Sequence, residues 1–263
     1  ADRGGGVAMI VVHGLEAVEI DQHNRIAPDP GRGRKHLVQG DVEPPPERHP
    51  PHLVGRMSGF RAHNTNVYPE RPDRAYVGYI DAGMIILDIG DISKPRMVSR
   101  WDNSPPFHGF THTVLPLFKR NLLIVTDEMT TQDGSDLPKL MWVLDGRDER
   151  NPVPIATLPA PSADALNLPG KRVGAHNIHE NTPGPYTWKS DQIILGTFFN
   201  AGLRAFDISN PYQPREIGYF VPPASPQSPT GFVSINDVLV DERQIVYTVD
   251  RERGGLFVLE MEF

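Results

Sequence analysis

At 263 residues the chain is long enough for one large core, and its net charge of -7 lacks the basic footprint of a nucleic-acid binder. No Lys/Arg cluster suggests an anionic membrane surface, and the longest apolar run, residues 7–12, is far short of the ~20 residues that span a bilayer. Without such a run the chain reads as soluble; cysteine is absent, which excludes a disulfide framework, thiolate metal ligands and a cysteine nucleophile and leaves the compartment open between cytoplasm and periplasm.

In chain order, β-branched and aromatic runs at residues 7–13, 75–81, 122–128, 192–199 and 245–251 read as strands. Each is followed by one recurring phrase: Gly14-Leu-Glu-Ala-Val-Glu19, Gly83-Met-Ile-Ile-Leu-Asp88, Leu140-Met-Trp-Val-Leu-Asp145, Gly202-Leu-Arg-Ala-Phe-Asp207 and Gly255-Leu-Phe-Val-Leu-Glu260. A small or apolar residue opens the phrase and a carboxylate closes it. A third strand follows a proline-containing turn, at residues 53–57, 97–101, 154–158 and 216–221; ten residues separate Asp88 from Val98, Asp145 from Ile155 and Asp207 from Ile217. A fourth begins near His63, His112, His176 and Asn236, ahead of the 75, 122, 192 and 245 runs. Polar, Pro- and Gly-rich insertions at 25–51, 131–138, 162–171 and 180–190 have the length of lids or binding loops. No stretch keeps a helical period over three turns. Four antiparallel strands per unit of roughly 40–50 residues predict an all-β chain, a β-propeller of about five blades forming a single domain over residues 1–263, or a piece of a larger ring.

The phrases Gly83-Met-Ile-Ile-Leu-Asp-Ile89 and Gly202-Leu-Arg-Ala-Phe-Asp-Ile-Ser-Asn-Pro211 resemble the repeat of the LVIVD family of bacterial β-propellers. The resemblance covers most of residues 60–263 and implies the propeller fold. It implies little about activity, because fold does not fix function. Residues 3–51 depart from the pattern.

When the repeats are aligned on their carboxylates, His63 precedes Asp88 by 25 residues and Asn236 precedes Glu260 by 24, while His112 and His176 take the same place ahead of longer units. First strands line a propeller's channel, so the three imidazoles are expected to converge on a divalent transition metal: zinc, iron, copper or manganese. His179 would join them only through an irregular strand entry. The end of each second strand lies beside the start of the first, which brings Asp127, Glu128, Asp81, His13 and Asp250 to the same rim. On an alternating strand only one of Asp127 and Glu128 can point inward. That carboxylate would be a fourth ligand or a general base, with Glu128 the first choice and Asp127 the second. A repeated histidine could instead fix strand register, although Asn236 in its place argues that the fold does not require it.

Other residues read as structural or ambiguous. Asp88, Asp145, Asp207 and Glu260 are expected to accept backbone N–H bonds in the following turn. Phe198, Phe199, Tyr186 and Trp188 fit either a pocket wall or core, and Arg204 either an anion contact or a solvated face. Two classes of function result. One is a metal-dependent enzyme, of hydrolase/lyase type or an oxidoreductase, acting on a small organic molecule with neither nucleic acid nor membrane as partner. The other is a non-catalytic propeller binding a protein or a surface glycan through its rim and loops.

Overall fold

The computed structural model describes residues 56, 61–161 and 172–262. The phrase at 14–19, His13 and the insertions at 25–51 and 162–171 lie outside them. Within the described residues the chain is all-β, its helical content a single turn at Phe118–Arg120. Four antiparallel sheets follow one another along the sequence. The first is β1 (Thr65–Tyr68), β2 (Arg71–Gly78), β3 (Met84–Asp88) and β4 (Arg96–Trp101), and the second is β5 (Thr111–Leu117), β6 (Leu122–Asp127), β7 (Met141–Asp145) and β8 (Val153–Thr157). The third holds β9 (Ile193–Thr197), β10 (Leu203–Asp207) and β11 (Arg215–Phe220); the fourth holds β12 (Ile235–Val240), β13 (Ile245–Asp250) and β14 (Gly255–Glu260). Each is an up-and-down meander, as in a propeller blade.

The expected innermost strand of the third unit does not form. Around His176 a single bridge, Ile178 to Gly196, replaces it, because the chain turns away into the proline- and glycine-containing segment 181–190 after only a few residues. The fourth sheet likewise shows three strands.

The recurring phrase has a steric origin. Gly83, Gly202 and Gly255 open it at φ +79°, +81° and +80°, in the left-handed region that a side chain disfavours. A Cβ at Gly83 would stand 2.2 Å from the Trp101 carbonyl oxygen, and one at Gly202 2.2 Å from that of Phe220. The closing carboxylates Asp88, Asp145 and Asp207 accept N–H bonds from Gly90, Arg147 and Ser209 at 2.9, 3.0 and 2.8 Å, which starts the turn into the next strand.

The ten-residue spacing marks a β-bulge. Opposite Ile86/Leu87, Val143/Leu144 and Ala205/Phe206 the partner strand carries one extra residue, and that residue is Val98, Ile155 or Ile217. The bulge turns each of these half-buried side chains onto the core. One core cluster, including Met84, Ile86, Val114, Leu115, Ile124, Leu144, Phe198 and Phe206, joins the first three sheets. A second, including Leu195, Leu203, Ile235, Val240 and Val246, joins the third to the fourth. Burying each such side chain contributes about 1.5–3 kcal/mol.

Between sheets, β2 packs beside β5 and β9 beside β12. The first junction is close: a Cβ on Gly78 would lie 2.1 Å from the carbonyl oxygen of His112 in the next sheet, so glycine lets the two backbones meet at the point where the histidines gather.

Candidate metal centre

Bulges also place the site. In the second sheet Thr111 pairs with Asp127 and Thr113 with Thr126, leaving His112 as the extra residue; in the fourth, Ile235 pairs with Asp250 and Asp237 with Val249, leaving Asn236. Both occupy the same structural position, and the bulge re-aims them out of the alternating pleat. His63 stands just before β1, where its N–H donates to the Gly78 carbonyl at 2.8 Å. His176 is held by an N–H bond to the Thr197 carbonyl at 3.0 Å.

The imidazoles approach one another and one carboxylate. Ring centroids of His63 and His112 are 3.8 Å apart, and those of His112 and His176 4.5 Å. Nε2 of His63 and Nε2 of His112 stand 3.8 and 3.9 Å from Oε2 of Glu128, while Nε2 of His176 stands 3.7 Å from Oε1. One ligand atom each from His63, His112 and Glu128 lie within 4.8 Å of one another, a grouping that can hold a metal ion. A tetrahedral metal with bonds of about 2.1 Å keeps its donors about 3.4 Å apart, so each of the two imidazole–carboxylate separations, 3.8 and 3.9 Å, would close by about half an ångström on binding. His176 flanks the group on the other side of the carboxylate.

The far nitrogens are fixed. Nδ1 of His176 donates to the Asn236 carbonyl at 2.7 Å, and Nδ1 of His63 to Oδ1 of Asn64 at 2.9 Å. The Asn64 amide is oriented by its own donor, which reaches Glu180 at 3.0 Å and Thr113 at 3.1 Å. Nδ1 of His112 meets the Thr113 hydroxyl at 2.6 Å. With its proton on Nδ1, an imidazole presents its Nε2 lone pair to the carboxylate; such outer contacts orient metal-binding histidines. Burial lowers the His112 pKa to about 2, helped by the neighbouring His176 and His63, and lowers that of His176 to about 4, helped by Arg172 and Arg251. Both rings are therefore neutral donors at pH 7.

Arg172 is the residue that sequence reasoning missed. Its Nη2 donates to Glu128 Oε1 at 3.0 Å, it donates through Nε to the Met129 carbonyl at 2.9 Å, and its guanidinium lies 3.7 Å from the Phe199 ring centroid. Phe199 in turn lies against His176, with centroids 4.5 Å apart. Arg172 thus neutralises Glu128 from the side opposite His63 and His112. It borders the 162–171 insertion and belongs to no repeat element, so only the fold brings it there.

Two segments, residues 73–103 and 197–221, match the LVIVD repeat. The chain carries LVIVD repeats. The matched segments hold the phrases opened by Gly83 and Gly202, whereas the phrase opened by Leu140 lies outside both. Among solved structures, the computationally designed Ika4 protein is 13% identical with a TM-score of 0.43, over 80% of this chain and 96% of its own. U3-55K is 10% identical with a TM-score of 0.45, over 79% of this chain and 54% of its own. The β-propeller domain of Myceliophteria thermophila Cps50 (Swd1) is 12% identical with a TM-score of 0.40, over 76% and 61%. The LVIVD-repeat chain thus spans little more than half of the latter two. No curated protein matches it.

The remaining candidates take other places in the LVIVD-repeat chain. His179 lines the same cavity but is engaged elsewhere: its Nε2 donates to the Trp188 carbonyl at 2.8 Å and its Nδ1 accepts the Val240 N–H at 3.2 Å, which occupies both ring nitrogens. Asp127 turns into the second sheet, where Asn103 and Trp142 donate to it at 2.7 Å each and burial raises its pKa to about 6. Alternation after β6 sends the two neighbouring carboxylates to opposite sides, and Glu128 is the one that meets the histidines. Asp81 is exposed and paired with Arg61, and Asp250 accepts the Ser234 and Glu252 N–H groups. Arg204 neither faces solvent nor waits for an anion. It is buried, bonded to the Ala201 carbonyl and to Glu216. Phe198 and Phe199 are core, whereas Tyr186 is exposed.

Proposed function

We propose that this LVIVD-repeat chain is a metal-dependent enzyme acting on a small organic molecule. The observation that carries the reading is the convergence of Nε2 of His63, His112 and His176 on one carboxylate, Glu128. His63, His112 and Glu128 would hold a divalent transition metal, with His176 beside it. The donor set of imidazole and carboxylate without thiolate suits zinc, iron, copper or manganese. A bound ion would supply Lewis acidity toward a substrate oxygen or a bound water, or a site for oxidation chemistry.

The chain's own residues set the conditions for that chemistry. Burial keeps His112 and His176 unprotonated, so both lone pairs stay available. Arg172 draws Glu128 Oε1 toward itself and leaves Oε2 directed at His63 and His112. The centre opens into a cavity of about 630 Å³, lined also by Asn177, Glu180, Asp237 and Arg251 and of a size that takes a small molecule.

The test is turnover by the reconstituted protein. Protein loaded with each of the four metals would be screened against carboxylic esters, amides, uronate-containing oligosaccharides and, with iron or copper, oxygen uptake. Turnover that follows metal content and disappears in Glu128→Gln supports the reading. A protein that holds metal and turns over none of these would favour the non-catalytic alternative.

A further inference from the structure

Strand register shows that the position just past the end of each second strand, from which Glu128 meets the histidines, varies from repeat to repeat. Gly78 pairs with Met84, Thr126 with Met141, Thr197 with Leu203 and Val249 with Leu256, each the second residue of its hairpin phrase. Two residues further on stand Ile80, Glu128, Phe199 and Arg251. The last is to the fourth sheet what Glu128 is to the second. The Glu128 N–H donates to the carbonyl of Phe110, two residues before His112, and the Arg251 N–H donates to that of Ser234, two residues before Asn236. One repeat position therefore supplies the carboxylate of the centre, the ring that packs on His176, and an arginine.

Arg251 differs from the other arginine of the site in being uncommitted. Arg172 is engaged by Glu128 and Met129. Among the described residues no carboxylate pairs with the Arg251 guanidinium, which is exposed and stands 6.0 Å from the Phe199 ring centroid. It lines the cavity that holds His63, His112, Glu128 and His176, and a second cavity of about 250 Å³ shared with Arg172 and Asn200. Elsewhere in the first cavity stand Glu180 and Asp237, whose carboxyl pKa values are raised by burial. The second cavity is lined by Glu252 as well, and Arg172 is already paired with Glu128, so Arg251 is the guanidinium left to meet an anion at the first.

The geometry points to Arg251 as the residue that binds a carboxylate group of the substrate and fixes the rest of the molecule against the metal centre. This rests on the enzyme reading given above. A guanidinium donates two parallel N–H bonds to a carboxylate, which sets orientation as well as affinity. A single uncommitted guanidinium in a cavity that also holds Glu128, Glu180 and Asp237 matches one negative charge better than the two of a phosphate.

Calorimetric titration tests it, with glycolate and benzoate as carboxylate probes, glycolamide and benzamide as their neutral counterparts, and inorganic phosphate alongside. Wild type, Arg251→Met and Arg251→Lys are first compared for metal content, which should be equal because Arg251 is not a ligand. In wild type the carboxylates should bind at least about tenfold more tightly than the amides and more tightly than phosphate, and Arg251→Met should lose that preference, as expected for loss of a charge-assisted hydrogen bond. Arg251→Lys should retain part of it. The inference is overturned if Arg251→Met binds as wild type does, if amides bind as well as carboxylates, if phosphate binds best, or if neither carboxylate binds at millimolar concentration. Running the titrations on metal-free protein as well separates the two readings: a wild type that takes no metal refutes the enzyme proposal, while the carboxylate preference of the metal-free protein still decides the role of Arg251.

Discussion

Replacing Arg172 by Met should reveal how much of the centre's order depends on charge neutralisation. The substitution keeps a long side chain over Phe199 but removes three contacts: the bond to Glu128 at 3.0 Å, the donors to the Met129 carbonyl, and the cation over the ring at 3.7 Å. The Glu128 side chain is only 12% exposed, so its charge would be left without a partner in a place poorly served by water. Breaking such a pair from one side costs about 3–5 kcal/mol. At about 2–4 °C per kcal/mol for a chain near this size, the metal-free protein should melt roughly 6–20 °C lower. A divalent cation beside Oε2 would supply the missing positive charge, so one equivalent of zinc should recover much of the difference. Thermal unfolding of both proteins, with and without zinc, measures the effect. A loss below about 1 kcal/mol in metal-free protein, or one that zinc does not change, would refute the reasoning.

Two further outcomes follow from the same geometry. His179→Ala should leave metal content unchanged but destabilise the fold by about 1–3 kcal/mol, because it exposes the buried Val240 N–H and Trp188 carbonyl as unpaired groups; loss of metal in this variant would return His179 to the ligand set. Stability of the metal-free protein should fall with pH. His112 and His176 have folded pKa values of about 2 and about 4, below the ordinary 6.5, so the unfolded chain takes up protons first and the stability present above pH 6.5 is lost as pH drops. By pH 4.5 each contributes a loss of about 2–3 kcal/mol, and protonation of Asp127, whose pKa burial raises to about 6, offsets only about 2 kcal/mol of the total. Urea midpoints at pH 7 and 4.5 check this, and an unchanged midpoint would contradict it.

The fold was legible where sterics forces a residue type. Gly83, Gly202 and Gly255 announce the left-handed start of a hairpin strand, and Val98, Ile155 and Ile217 keep a fixed distance from their aspartates because a bulge must turn them inward. The histidine register was legible for the same reason, since repeats reuse backbone geometry. Three things were not. The segment after His176 looks like a strand beginning but bridges at one residue only, which sent His179 to the Trp188 carbonyl. Arg204 breaks the apolar pattern of its phrase, yet Glu216 on the neighbouring strand lets it be buried, a pairing fixed by register rather than by composition. Arg172 lies in a loop with no repeat to compare. Arg251 had a readable signal, for it follows Asp250 as Glu128 follows Asp127, once second strands are aligned by their ends.

Metal content tests the central claim most directly. Protein purified without chelator, or stripped and then reconstituted with zinc, iron, copper or manganese, should hold about one equivalent after desalting, and His112→Ala should lose most of it, because His112 is the buried member of the His63, His112 and Glu128 group. A wild type that remains metal-free with all four ions, or a His112→Ala variant that binds as wild type does, would contradict the account and leave the histidines as devices of strand register.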